Sequence, residues 1–135
     1  MGTRSRVAVM HGTVCKSVYC HYDGYLDYTG KLLLANYDSA LANQLVARGD
    51  NSGVRDTLEG MNFYGERGEE DVSWQVSHTF EEFLEQVDAC AGQWYYVMRD
   101  GEWYVGNLHH NDQRFYKQLV PLAAAVAELE DAAVA

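Results

Sequence analysis

The stretch Trp94-Tyr95-Tyr96-Val97-Met98-Arg99-Asp100-Gly101-Glu102-Trp103-Tyr104-Val105-Gly106-Asn107-Leu108 decides the fold class. Asp100-Gly101 stands between two runs of aromatic and aliphatic residues. Such a pair readily adopts the positive φ angles of a two-residue hairpin turn, and the flanking runs favour strands. The N-terminal region repeats the pattern. Arg4 to Met10 and Val14 to Cys20 read as strands around His11-Gly12-Thr13, with Val7, Val9, Val18 and Cys20 at period two. Residues 7–13 and 95–101 are weakly alike, and both open a hairpin that leads to a helix, the outline of a ββα pseudo-repeat.

Helical signals lie between and after these hairpins. Tyr28 to Tyr37 reads as a short helix around Leu32, Leu33 and Leu34. Ser39 can cap a second, with Leu41, Leu45 and Val46 on its apolar face and Gly49 at its end. Thr79-Phe80-Glu81-Glu82 is a capping box. Phe80, Phe83, Leu84 and Val87 then line one helical face as far as Gly92. Pro121 fits the first turn of a last helix ending near Asp131. Asp50 to Glu59 reads as a loop, Met61 to Tyr64, Val72 to Val76 and Phe115 to Leu119 as short strands, and the Asp-Gly of His21-Tyr22-Asp23-Gly24-Tyr25 as a reversal using glycine's tolerance of positive φ. The expected fold is α+β: a single domain over residues 1–135, an antiparallel β-sheet built from hairpins, and three to four helices packed on one face.

Composition limits the function classes. The chain has 135 residues, is 47% hydrophobic, and carries a net charge of −10. It can bury a core, and no apolar run approaches the ~20 residues that span a bilayer. The N-terminus shows no signal-peptide pattern, so a cytoplasmic protein is expected. Arg6 occupies the position where a myristoylation motif wants Ser or Thr. Cys15, Cys20 and Cys90 are too few and scattered for a disulfide scaffold. Cys15 and Cys20 fall on opposite faces of a strand, so free thiols are expected. The charge is uneven. Residues 50–102 hold thirteen acids against three bases (Arg55, Arg67 and Arg99), an excess equal to that of the whole chain. Such a surface repels nucleic acid and anionic membranes and can attract a basic protein.

Four short motifs stand at the positions Met1 to Ser5, Tyr19-Cys20-His21-Tyr22-Asp23-Gly24-Tyr25, Tyr64-Gly65-Glu66-Arg67-Gly68-Glu69 and Gly101-Glu102-Trp103-Tyr104. In these the chain, from residue 1 to about 108, resembles a family of small phage and mobile-element proteins. Those begin Met-Gly-Thr-Arg-Ser and carry a Tyr-x-His-Trp-Asp-Gly-Tyr turn and a Tyr-x-Arg-x-Arg-Gly-Glu segment. Here Tyr22 replaces the Trp, and Glu66 replaces a residue more often basic or Asp. The resemblance implies a phage-type setting in an infected bacterial host, where small accessory proteins often block defence factors or host enzymes. It implies no reaction.

Four constellations could carry chemistry. His21 and Asp23 could cooperate as a titratable pair, although Asp in a turn more often accepts its own backbone N–H groups. The acids around Glu66, Glu69, Glu70 and Asp71 do not match a calcium loop, and Arg67 among them favours surface ion pairs. His109-His110-Asn111-Asp112 has no third metal ligand at suitable spacing. Eleven aromatic residues from Tyr19 to Tyr104 lie on or near hairpins and turns, where they either pack a sheet or anchor a partner. Phosphate loop, dinucleotide fingerprint, paired-Cys motif and nucleophile elbow are missing.

The leading expectation is a binding protein that inhibits or sequesters a host factor, for example in anti-CRISPR or anti-restriction fashion. Glu66, Glu69, Glu70, Asp71, Glu81 and Glu85 would meet a basic nucleic-acid-binding groove, with Trp103 as an anchor. The first alternative is a nucleotide-like ligand held by Arg4, His21, Tyr22, Asp23, Tyr25, Tyr64 and Arg67. A metal-dependent enzyme on the same turn and a homo-oligomer joined through the 94–108 hairpin are the others. No catalytic residue, metal ligand or cofactor is assigned.

Overall fold

The computed structural model describes residues 3–134 and is α+β. Met1 and Gly2 of the opening motif lie outside the described residues. Strands β1 (Ser5–His11), β2 (Val14–Cys20), β3 (Gln75–Ser77), β4 (Trp94–Arg99), β5 (Glu102–Asn107) and β6 (Val120–Pro121) form one sheet of order β3-β2-β1-β4-β5-β6. Helices α1 (Lys31–Asn36), entered through a π-helical turn at Leu26–Gly30, α2 (Ser39–Arg48), α3 (Phe80–Ala89) and α4 (Leu122–Val134) complete it. No helix among the described residues is long and apolar enough to cross a membrane.

Both expected hairpins form. Asp100 and Gly101 turn at φ 52° and 78°, so both central positions take the left-handed conformation that matches strand twist. Gly12 turns the first hairpin at φ 63°. The sheet is mixed rather than wholly antiparallel, because β1 pairs with β4 in parallel, Val7 opposite Tyr96 and Val9 opposite Met98. The cause lies in the strand sequences. The middles of β1 and β4 are apolar without alternation and buried on both faces, which is the habit of a parallel pair at the centre of a sheet. The two hairpins therefore lie side by side. Their sequence-aligned residues, such as Val9 and Val97, point to opposite faces, because the alignment is one residue out of step with the strand register.

Burial on both sides requires cover on both sides, so the helices do not share one face. On the first face Val7, Val9, Val18, Cys20, Tyr96, Met98, Trp103 and Val105 pack under α1, α2 and α4, which supply Leu33, Leu45, Val46, Leu122 and Val126. On the second, Ala8, Met10, Cys15, Tyr95 and Val97 meet Phe83 and Val87 of α3. The ring of Phe83 stands edge-on to Tyr95 at 5.5 Å.

Several boundaries differ from expectation for identifiable reasons. Asp38, one residue before Ser39, caps α2 by accepting from the Leu41 N–H at 2.9 Å. The Thr79 hydroxyl accepts from the Glu82 N–H as expected, at 3.1 Å. Ala91 takes the left-handed position after α3, at φ 58°, ahead of Gly92. Asp23 likewise takes the positive φ of its turn, 59°, and Gly24 serves another need: a Cβ there would stand 2.6 Å from the Ser5 side chain. Residues 61–64 and 115–119 make single bridges only, the third strand is Gln75–Ser77, and Pro121 ends edge strand β6 just before α4. Proline is tolerated there because an edge strand needs no outward N–H.

Candidate functional site

The most polar part of the second face forms where β2 runs past its end. Residues 19–22 continue alongside residues 50–52. His21 N–H donates to Asn51 O at 3.1 Å, Tyr22 N–H to Ser52 O at 2.8 Å, and Asn51 N–H to Tyr19 O at 2.9 Å. Residues 62–64 then lie on the far side of 50–52, with Ser52 N–H on Asn62 O at 3.1 Å and Tyr64 N–H on Asp50 O at 3.0 Å. The bridges Cys20–Asn51 and Asn51–Phe63 make this a three-segment ladder. Cys20, Asn51 and Phe63 are buried, so period-two alternation puts Tyr19, His21, Asp50 and Tyr64 together on the other side. Asn51 fixes the crossing. Its side chain donates to Gly49 O at 3.3 Å and accepts from the Gly53 N–H at 3.0 Å.

The side chains in this ladder are linked. The Tyr19 hydroxyl shares a short hydrogen bond with His21 Nδ1. The Tyr22 ring stands edge-on to the imidazole at 4.3 Å. Asp50 Oδ1 accepts from the Tyr19 N–H at 2.8 Å. The Arg67 guanidinium lies 4.4 Å over the Tyr64 ring and pairs with Glu69. Burial pushes the Tyr19 hydroxyl above its ordinary range while the Arg4 charge pulls it down; for Tyr64 burial again leads and Arg67 opposes it. Beneath, Arg6 is 3% exposed and donates from Nε to Ser17 Oγ at 2.9 Å and from Nη2 to Ser17 O at 3.0 Å. Among the described residues it forms no ion pair.

Of the expected ligand group, His21 packs on Tyr22 and Arg67 on Tyr64 along the ladder, and Arg4 immediately precedes Ser5, which pairs with Cys20. Asp23 does not pair with His21; its carbonyl accepts from the Thr29 hydroxyl at 2.6 Å. Tyr25 turns toward Tyr28, 6.0 Å between centroids. Asp50 and Asn51 belong to the cluster, although their sequence has the character of a loop. No periodic signal marks a polar segment that makes single bridges.

The acidic group divides. Glu66 is gripped by Arg48 through two 2.7 Å hydrogen bonds, and Glu69 by Arg67. Glu70 and Asp71 are exposed and form no ion pair among the described residues. Glu81 and Glu85 stand with Asp88 along α3. They rim a groove of about 600 Å³ that also meets Leu84, Leu108, Tyr116 and Lys117. Trp103 is no surface anchor: it is 4% exposed, and its indole N–H donates to Tyr37 O at 2.8 Å. The hairpin read as an oligomer interface is likewise interior, with Tyr95 to Met98 buried in β4. Among the described residues the exposed large aromatics are Tyr22, Tyr25 and Trp74.

The remaining motifs are structural. Asp112 accepts from the Arg114 and Phe115 N–H groups at 3.2 Å each and from Asn107 Nδ2 at 3.0 Å, which folds the His109–Asp112 turn on itself. Cys15 and Cys20 are buried free thiols on opposite faces, and burial pushes each up to about 12. Among the described residues no three His, Cys, Asp or Glu side chains gather as a metal would require. Comparison with protein-family models, curated proteins and solved structures finds no match for the chain.

Proposed function

We propose that this protein binds and sequesters a basic host protein, in the manner of a phage accessory factor that occupies a nucleic-acid-binding groove. One observation carries the reading. Of the thirteen acids between Asp50 and Glu102, only Glu66 and Glu69 pair with Arg or Lys among the described residues, and Glu82 meets only His78, at 3.9 Å. The negative field is therefore not cancelled internally. On α3, Glu81, Glu85 and Asp88 succeed one another at four- and three-residue intervals, which puts them on one helical stripe. They border a groove that also contains Leu84, Leu108 and Tyr116. Acids beside apolar and aromatic contacts suit a basic partner, with charge giving speed and specificity and the apolar contacts giving lifetime.

The test is affinity capture from nuclease-treated host lysate, followed by measurement of the purified pair. A nucleic-acid-binding partner is expected, displaced by its own nucleic acid and weakening steeply with salt. Glu81→Lys combined with Glu85→Lys should lower the association rate about tenfold or more. A complex indifferent to salt and to both reversals would refute the reading.

A further inference from the structure

The ladder at the end of β2 brings bases and aromatic rings together in a molecule of net charge −10. The sequence of residues 50–102 contains only three bases, and two of them, Arg55 and Arg67, come to this ladder. Gly53 shows how close Arg55 lies: a Cβ added there would be 2.8 Å from Tyr22 O and 3.0 Å from Arg55 Nη1. Arg4 immediately precedes Ser5, which pairs with Cys20, so the start of β1 brings it beside the end of β2. Arg55 Nη1 donates to Val54 O at 2.9 Å. The Tyr19–His21 hydrogen bond holds Nδ1, and His21 Nε2 has no hydrogen-bond partner among the described residues. Tyr22 is 46% exposed beside His21, and Tyr64 supports the Arg67 guanidinium from below.

We propose that this ladder is a binding site for a small planar heterocycle bearing a phosphate, a mononucleotide-type ligand. The chemistry divides between the two kinds of side chain. Guanidinium groups and an imidazole N–H complement phosphate oxygens, the former in bidentate fashion. The exposed Tyr22 ring offers a face on which a base can stack, and such stacking is tolerant of base identity. The Tyr19–His21 bond contributes preorganisation, since a held imidazole loses less freedom when it binds. The Glu69 carboxylate, which pairs with Arg67, also keeps that guanidinium in place over Tyr64. The site stands apart from the α3 groove, so it does not depend on the protein-partner reading.

Titration calorimetry of the full chain with AMP, adenosine and inorganic phosphate tests the proposal. AMP should bind, and adenosine and phosphate should each bind at least about tenfold more weakly, because each keeps only half of the contacts. The His21 ring resonances of the unmodified protein should shift with AMP, a readout that needs no variant. Arg67→Ala and Tyr22→Ala, both at the surface, should each weaken AMP about fivefold or more, while Lys117→Ala in the α3 groove should not. Silence of the His21 resonances at about 10 mM AMP would overturn the proposal. So would equal affinity for phosphate and AMP, or AMP binding that survives both Arg67→Ala and Tyr22→Ala.

Discussion

The two faces of the sheet use the same strands but are closed by different means. The first face joins twenty-one buried residues under three helices. The second has a buried cluster of seven, covered by α3, and beyond the helix its side chains become Arg6, Ser17, Tyr19 and His21. The difference teaches where each job sits. The first face is closed with apolar area and holds the fold. The second turns polar beyond the helix: Arg6 and Ser17 are buried there, and Tyr19 and His21, half-buried, offer groups that a ligand could use.

The contrast can be broken at its two largest plugs. Trp103→Ala removes the indole from the first face and leaves Tyr37 O without its donor. It should cost about 3–5 kcal/mol and lower protection from hydrogen exchange throughout the sheet. Phe83→Ala on the second face should free mainly α3, with the fastest new exchange over Phe80–Ala89. Equal, global loss of protection in both variants would show that the faces form one cooperative unit.

Arg6 sharpens the comparison at smaller scale. Its charge is buried and its partners are a hydroxyl and a carbonyl. Desolvating a guanidinium is expensive, so an apolar side chain of similar length should serve the fold as well. Arg6→Met is expected to leave urea-unfolding stability within about 1 kcal/mol of the parent, or to raise it. A loss of several kcal/mol would show that the second face is held by Arg6 as firmly as the first is held by its apolar core.

The apolar cores of both faces are largely legible in the sequence, and the polar end of the second is not. Asp100-Gly101 between aromatic runs could be nothing but a tight turn, and the alternation of Val7, Val9, Val18 and Cys20 marked one shared surface. Leu45, Val46, Phe83 and Val87 stood at helical spacing and are buried. The parallel β1–β4 pair left a readable trace in the unbroken apolar runs of both strands, but a hairpin explained the same residues without it. Burial of Trp103 follows from its position two residues before Val105 on the inward side of β5, a consequence of register that the turn alone does not supply. The ladder of residues 19–22, 50–52 and 62–64 had no such trace. It rests on Asn51, whose amide satisfies a loop carbonyl and a loop N–H, and one buried polar side chain has no period.

The finest test lies at the polar end of the second face, in Asp50. Burial raises its carboxyl above the ordinary value of 3.8, and the Tyr19 N–H and Arg6 pull it back only in part. The folded protein therefore holds this proton more tightly than the unfolded chain does. Its contribution to stability is fully present below the ordinary value and is lost as pH rises through the raised one. Where it is ionised, Asp50 is thus a net cost to the fold, retained beside Tyr19. Asp50→Asn keeps an oxygen for the Tyr19 N–H and removes the charge. It should be at least as stable as the parent at pH 7, and that advantage should fade in unfolding curves taken at pH 3. If Asp50→Asn were instead the weaker protein at pH 7, the attraction of buried Arg6 would outweigh desolvation. Arg6 and Asp50 would then be a working charge pair across β2, and the second face would be closed by electrostatics where the first is closed by apolar area.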